Sequence, residues 1–185
     1  LTFMAGGSAD ALARAQPLFD AMGSRTVHCG EAGAGQAAKI CNNMILGVTM
    51  IATAEAFALA DRLGLDRQRL YDVVSTSSGQ SWSMTTYCPA PGVGPVTPAD
   101  RGYAPGFAAE LMLKDLLLGQ MAARASQADT PMAALALDLY RRFVEVEAGR
   151  GGSRTGRAAR PVARPERPRG PASGPHALPP ARNLP

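Results

Sequence analysis

The sequence predicts a mainly α-helical chain, in which a short strand–helix–strand unit precedes an all-helical domain and an irregular basic tail. Three observations support this fold class. Two short β-prone runs flank the first helix, apolar residues recur with a helical period over most of residues 30–149, and eight of the 15 prolines fall within residues 161–185. We therefore divide the chain at residues 1–29, 30–149 and 150–185.

The first unit is predicted to be strand, helix, strand. Residues 1–4 form a short apolar run, and Ser8 can cap a helix that continues to about Met22, where Gly23 ends it. Residues 25–29 are again β-prone. Such a piece resembles one βαβ unit, which cannot close a sheet by itself.

The helical domain is predicted to begin with one long helix over residues 34–63. It carries almost no charge before Glu55 and is apolar on most faces, so we expect burial on several sides. Gly64 ends this helix, and Asp66 can cap the next one.

Three further helical segments and one irregular segment follow. A short helical stretch is predicted around Trp82, and a loop rich in proline and glycine covers residues 89–105. The next helix runs from Phe107 to about Ser126. The last one has Pro131 in its first turn and continues to about residue 147.

Charge separates the tail from the rest of the chain. Residues 150–185 carry eight arginines and one acid, a net charge of +7, whereas residues 1–149 carry eleven basic and fourteen acidic residues, a net charge of −3. The tail cannot bury enough apolar area to offset its ordering entropy, so we predict disorder. It could bind a polyanion, or be the unselected product of a shifted reading frame. It has no aromatic residue to stack bases, so we expect no nucleic-acid partner.

The cysteines and the hydropathy exclude several classes of protein. Cys29, Cys41 and Cys88 lack metal-ligand spacing, which is typical of reduced intracellular thiols, and we predict no metal site. No apolar run approaches the roughly 20 residues of a membrane span, and no signal peptide is visible, so no membrane association is expected.

The chain has only two lysines, and one of them suggests chemistry. Lys39 and Asn43 are four residues apart at the start of the long helix, so both project from one face. A lysine and a carboxamide there can hold a hydroxyl group, and the lysine in its neutral amine form can deprotonate it. The apolar neighbours of Lys39 would favour its neutral form. The alternative is an ordinary surface lysine on a first helical turn.

A glycine-rich turn precedes that helix. Gly30-x-x-Gly33-x-Gly35 does not match the G-x-G-x-x-G dinucleotide fingerprint, so we reject it as the dinucleotide site. The turn still presents backbone N–H groups at a helix N-terminus, where a substrate carboxylate can bind. We therefore assign Gly33 and Gly35 to substrate binding. The alternative is a flexible hinge between domains.

The second lysine lies in Lys114-Asp115, inside an apolar helical run. Adjacent residues on a helix do not face each other, so no internal ion pair is expected, and each charge must find another partner. Trp82 is interpreted as a core or interface residue rather than part of a ligand site.

Taken together, several segments resemble the 3-hydroxyisobutyrate dehydrogenases of the β-hydroxyacid dehydrogenase family. The resemblance covers residues 1 to about 143. Its most specific part is the G-x-x-G-x-G-x-x-x-K-x-x-x-N motif, and the Ser-Ser-Gly…Trp and Pro-Gly-Val segments narrow it. The matching segments are residues 1–7, 30–43, 50–56, 62–66, 77–82, 91–93 and 106–115.

The resemblance implies an all-helical domain of the 6-phosphogluconate-dehydrogenase-like type, preceded by the last βαβ remnant of a Rossmann domain at residues 1–29. It also implies NAD-dependent oxidation of 3-hydroxyisobutyrate to methylmalonate semialdehyde, a step of valine catabolism. Lys39 would be the catalytic lysine, Asn43 would hold the substrate, and Lys114 would reach the cofactor. A homo-oligomer in the cytoplasm, or in the mitochondrial matrix of a eukaryote, is expected.

Two departures from the family pattern set further expectations. No G-x-G-x-x-G loop is present and the family's closing helix is replaced by the tail, so we interpret the chain as a C-terminal fragment that is inactive alone. Two alternatives remain open. One is a related reductase of tartronate or succinic semialdehyde, and the other is a non-enzymatic helical scaffold with a polyanion-binding tail.

Overall fold

The computed structural model describes residues 1–103 and 106–149, and within them it confirms a mainly helical chain with a small parallel sheet. The tail predicted to be disordered lies outside the described residues. The elements are strands β1 (Thr2–Gly6) and β2 (Arg25–Gly30), a 3₁₀ helix (Pro98–Arg101), and helices α1 (Ala9–Met22), α2 (Ala34–Leu63), α3 (Arg67–Val74), α4 (Trp82–Thr85), α5 (Ala109–Ala125) and α6 (Pro131–Gly149).

The first 30 residues form the predicted strand–helix–strand unit. β1 and β2 pair in parallel, with Thr2 opposite Arg25 and a register shift after Ala5. Ser8 caps α1, because its hydroxyl oxygen accepts the N–H of Ala11 at 3.3 Å. Both strands end at a glycine, slightly beyond the predicted bounds. The division of the chain into domains stays a prediction.

Glycine allows α2 to start directly against the sheet. Gly33, which precedes α2, has φ of 94°, in the left-handed region that favours glycine. A Cβ atom at Gly35 would lie 2.3 Å from the carbonyl oxygen of Met4 on β1. Only a residue without a side chain fits this contact, so the start of α2 is fixed relative to β1.

The long helix α2 buries one face rather than several. Ile45, Leu59 and Leu63 are exposed, so the expectation of burial on several sides is wrong for the described residues. The buried positions recur every three or four residues as one stripe: Asn43, Gly47, Met50, Ala54, Phe57 and Ala60.

α2 also corrects the prediction, made from the sequence, that no segment is long and apolar enough to span a membrane. By length and composition it is long and apolar enough to cross a bilayer, contrary to the estimate that no run approaches that length. In the structure α2 packs against β1, α4, α5 and α6. These contacts bury one face of α2 within the protein.

Two apolar clusters flank α2. The larger lies between α5 and α6 and includes Met112, Leu116 and Tyr140. The smaller includes Phe57 of α2 and Met84 of α4, together with Cys88 and with Ala90 and Val93 of the predicted loop at residues 89–105. The two clusters place α5, α6 and this segment around the middle of α2.

The segment before α5 is more ordered than its composition indicated. Thr97 and Asp100 form a capping box around its 3₁₀ helix. The Asp100 carboxylate accepts the N–H groups of Gly92 at 2.7 Å and Thr97 at 2.8 Å, and the Thr97 hydroxyl donates to the carbonyl of Cys88 at 2.9 Å. These bonds fix the segment as one wall of the cavity described next.

Candidate active site

A cavity of about 590 Å³ lies between α2, α4, the segment before α5, and the facing parts of α5 and α6. Lys39 and Asn43 both line it, so two residues predicted to act together are on one wall. Gly33, Gly35 and Lys114 are not among its lining residues. The walls are largely apolar, with Ile45, Leu46, Met50, Pro89, Pro98, Ala99, Phe107, Ala109 and Met112 contributing.

Asn43 is held rigidly at the cavity wall. Its side chain is buried, and its Nδ2 donates to Asp115 Oδ2 on α5 at 2.5 Å. The amide of Asn42 donates to Asn43 Oδ1 at 3.0 Å. The carboxamide is thus fixed from both sides, yet one N–H and one oxygen lone pair remain for a ligand.

Lys114 and Asp115 form an ion pair, which corrects the sequence interpretation. Lys114 Nζ lies 3.4 Å from Asp115 Oδ1, although the two residues are adjacent on α5. Asp115 turns toward Asn43, and the flexible lysine side chain reaches back to it. Lys114 is 62% exposed and Asp115 is 18% exposed, so the ammonium can still contact another anion. The cofactor role of Lys114 stays a prediction.

Lys39 is exposed at the edge of the cavity, one turn before Asn43. The described residues therefore do not bury the Lys39 side chain, contrary to the prediction made from its apolar neighbours in the sequence. Among them, no carboxylate lies within 4.0 Å of the Lys39 ammonium. The side chain is available to a ligand.

The glycine-rich turn has a clear structural role. No side chain caps the first turn of α2, and Gly35 packs against the backbone of β1 at Met4. Substrate binding by Gly33 and Gly35 stays a prediction, because neither residue lines the cavity among the described residues.

Two aromatic residues at the cavity were not predicted. Trp82 and Tyr87 stack with ring centroids 5.2 Å apart and an interplanar angle of 13°. Trp82 is 50% exposed, so it is not a core residue, and its interpretation as an interface residue stays a prediction. The Tyr87 hydroxyl accepts the N–H of Phe107 at 2.9 Å. The Ser-Ser-Gly…Trp segment was the available signal, but only packing places its aromatic ring at the cavity.

Metal ligation has no support in the part of the chain that the structure describes. Within residues 1–103 and 106–149, no group of three or more His, Cys, Asp or Glu side chains could hold a metal ion. The polar groups at the cavity are mainly amine, amide and hydroxyl groups, together with the Cys88 thiol and the Trp82 indole. This set is suited to binding and proton transfer on a small polar organic molecule.

Comparison with known proteins places this chain in a family. Residues 33–158 match the family described as the NAD-binding domain of NADP-dependent 3-hydroxyisobutyrate dehydrogenase. A probable 3-hydroxyisobutyrate dehydrogenase of Mycobacterium tuberculosis is 48% identical over 143 residues, which are 77% of this chain and 49% of that protein. An NAD-dependent L-serine dehydrogenase of Pseudomonas aeruginosa is 54% identical over 141 residues, 76% of this chain and 47% of that protein.

A solved structure shows the same fold. The Mycobacterium tuberculosis 3-hydroxyisobutyrate dehydrogenase with L-serine matches with a TM-score of 0.75 and 47% sequence identity, covering 78% of this chain and 50% of that chain. The chain thus spans about half the length of the relatives that it matches.

Proposed function

We propose that this chain, which belongs to the NAD-binding family of the NADP-dependent 3-hydroxyisobutyrate dehydrogenases, carries the substrate-binding residues of a hydroxy acid dehydrogenase. The reaction is the oxidation of 3-hydroxyisobutyrate to methylmalonate semialdehyde. The observation that carries the proposal is that Lys39 and Asn43 line one cavity, with Asn43 fixed by Asp115.

In this mechanism Asn43 orients the substrate and Lys39 moves the proton. The remaining N–H and lone pair of the Asn43 amide hold the substrate hydroxyl in place. The side chain of Lys39 accepts the hydroxyl proton as the C–H bond at carbon 3 breaks, and it returns a proton in the reverse direction. The first turn of α2, at Gly33 and Gly35, is where the substrate carboxylate would bind.

The chain's residues fit a nicotinamide dinucleotide cofactor beside the substrate. A bound NAD⁺ would supply the acceptor for the hydride that leaves carbon 3. A cavity of about 590 Å³ leaves room beside a four-carbon acid for a planar ring. The exposed ammonium of Lys114 is available to hold an anionic group of the cofactor.

L-Serine is a second candidate substrate. A relative 54% identical over 141 residues is named an NAD-dependent L-serine dehydrogenase. L-Serine is also a 3-hydroxy acid, so Lys39 and Asn43 would act on it in the same way. The remaining alternatives from the sequence, a semialdehyde reductase and a polyanion-binding scaffold, have no observation in their favour among the described residues.

The proposal extends to the setting of the enzyme. The exposed apolar side chains of Leu59 and Leu63 on α2, which do not line the cavity, favour a homo-oligomer. The substrate is a small molecule, and we propose no nucleic-acid or membrane partner. A location in the cytoplasm, or in the mitochondrial matrix of a eukaryote, agrees with a human relative that is named mitochondrial.

Grafting tests the proposal directly. The matched 143-residue region would replace its counterpart in the Mycobacterium tuberculosis relative. Formation of reduced cofactor would be followed with 3-hydroxyisobutyrate and L-serine, and consumption of reduced cofactor with the two semialdehydes. We expect NAD⁺-dependent turnover of 3-hydroxyisobutyrate. A folded graft that binds cofactor but turns over none of these compounds would overturn the proposal.

A further inference from the structure

The cavity continues along α2 beyond the residues proposed to act on the substrate hydroxyl. Asn43, Leu46 and Met50 all line it, and their spacing of three and then four residues keeps them on one face of the helix. At a rise of about 1.5 Å per residue, Met50 lies roughly 10 Å along the helix axis from Asn43. The cavity therefore has a polar end at Lys39 and Asn43, and a second end at Leu46 and Met50, which we call the far end.

The far end is apolar where α2 meets α5. Leu46 packs against the apolar cluster between α5 and α6. The sulfur of Met112 lies only 3.2 Å from the position that a Cβ atom on Gly47 would take, so Met112 packs on α2 one turn beyond Asn43. Among the described residues that line the cavity, Lys39 carries the one charge, and it lies at the polar end. A ligand group at the far end therefore meets aliphatic and thioether surface.

Hydroxyl groups in the cavity wall do not add charge to it. Thr49 donates to the carbonyl of Ile45 at 2.9 Å, and Thr97 donates to the carbonyl of Cys88 at 2.9 Å, so the protons of both hydroxyls are already used. Burial raises the pKa of the Tyr140 hydroxyl far above its ordinary value, so this group stays neutral. Away from Lys39, the described wall is uncharged, and such a surface favours an alkyl group over water.

The cavity is also larger than a four-carbon acid requires. Its volume of about 590 Å³ falls in the range of roughly 300–1,000 Å³ that buries drug-sized ligands. The hydride leaves carbon 3 beside Asn43, so the cofactor ring would occupy the polar end. Neither the small acid nor the ring would fill the far end, about two helical turns away.

We propose that the far end is a subsite for an alkyl chain, so that the site takes 3-hydroxy acids with a substituent of about five carbons on carbon 2 as well as the methyl-substituted acid. A pentyl chain spans about 6 Å, which fits the length between Asn43 and Met50. Each CH₂ group buried there strengthens binding about three- to fourfold. This inference rests on the proposed function, because Lys39 and Asn43 hold the hydroxyl at the polar end.

The test is a series of 2-alkyl-3-hydroxypropanoates, from methyl to pentyl, titrated into the full chain by calorimetry. We expect the affinity to rise with each added carbon and to reach about 10- to 100-fold at pentyl, because immobilising the chain offsets part of each gain. Heptanoate is the matched control, since it has the same carbon chain as the pentyl acid but lacks the hydroxymethyl group. It should bind about tenfold more weakly than the pentyl acid.

Two asparagine variants locate the bound chain. Leu46→Asn places an amide in the far end, whereas Leu59→Asn makes the same change at an exposed position of α2 that does not line the cavity. Leu46→Asn should weaken binding of the pentyl acid about tenfold and of the methyl acid less than about twofold, because only the longer chain meets the amide. Leu59→Asn should change neither.

A second readout needs no variant. In the full chain labelled with ¹³C at the methionine methyl groups, the pentyl acid should shift the resonances of Met50 and Met112, which line the cavity, and leave those of Met22 and Met132, which do not. Binding of the methyl acid without any gain at pentyl, or an equal loss of both acids in Leu46→Asn, would overturn the inference while the proposed function stands. If the full chain bound none of the hydroxy acids, both would fall.

Discussion

The amide of Asn43 on α2 donates to the carboxylate of Asp115 on α5 at 2.5 Å, across 72 residues of sequence. Asn43 is 2% exposed and Asp115 is 18% exposed, so the bond is largely shielded from water. It connects the helix that carries Lys39 to the helix that carries Lys114. The hydrogen bond therefore supports both the fold and the proposed substrate site.

Replacing Asp115 with alanine should destabilise the fold. The change leaves a buried donor of Asn43 without its acceptor, which costs about 1–3 kcal/mol. Urea unfolding measures this loss. Asp138→Ala is the matched control, because Asp138 pairs with Arg141 on the surface, where an ion pair contributes less than about 1 kcal/mol. Equal losses in the two variants would show that the Asn43–Asp115 bond contributes nothing specific.

Two glycines on helices should respond oppositely to alanine. At Gly35 the added Cβ would lie 2.3 Å from the carbonyl oxygen of Met4, so Gly35→Ala should cost about 1–3 kcal/mol of unfolding free energy. At Gly119 the nearest atom is Ile40 Cγ2 at 3.8 Å, an ordinary contact. Gly119→Ala should be neutral or stabilise by up to about 1 kcal/mol. Thermal unfolding of both variants checks this, and a tolerated Gly35→Ala would contradict the close contact of α2 with β1.

Comparison of the sequence-based predictions with the structure indicates which parts of the fold can be predicted from the sequence. Ser8 and Asp66 were predicted caps, and each accepts an N–H three residues later, from Ala11 at 3.3 Å and from Arg69 at 3.1 Å. Helix starts depend on interactions within a few residues, so local patterns suffice. The same holds for Lys39 and Asn43, whose spacing alone places them on one face.

Contacts between distant segments could not be predicted in this way. No local pattern connects Asn43 with Asp115, or brings Trp82 to the cavity wall. The apolar composition of α2 indicated burial, but it did not show which faces the described residues cover. The segment before α5 was predicted to be irregular because proline and glycine dominate it, although Thr97 and Asp100 order it.

Asp100 should make the stability of the chain depend on pH. The N–H groups of Thr97 and Gly92, which its carboxylate accepts, hold the pKa of Asp100 below its usual value. A carboxyl with a lowered pKa in the folded state stabilises above its unfolded pKa, and the contribution is lost as the pH falls through the folded pKa. The free-energy difference between the unaltered chain and Asp100→Asn should therefore be largest above about pH 5 and shrink below about pH 4. Because Asp100 is exposed, we expect on the order of 1 kcal/mol, and a difference independent of pH would contradict this.

Trp82 should report binding to the cavity. It is the only tryptophan of the chain, it is half-exposed, and it stacks on Tyr87 at the cavity. A ligand that enters the cavity would remove water from the indole ring and change its emission. Titration with 3-hydroxyisobutyrate should therefore give a saturable fluorescence change, and acetate at equal concentration should give much less. An equal response to both acids would indicate that the hydroxy acid is not recognised at this cavity.

The most direct test of the account is turnover by the grafted dehydrogenase with three residues in turn at position 39. With lysine, NAD⁺ should be reduced in the presence of 3-hydroxyisobutyrate. Lys39→Ala should lower kcat by about 10²–10⁴ and leave NAD⁺ binding nearly unchanged, as expected for the loss of a general acid–base group. Lys39→Arg should not restore kcat, because a guanidinium group stays protonated. Near-normal kcat in either variant would contradict the claim that Lys39 carries the proton.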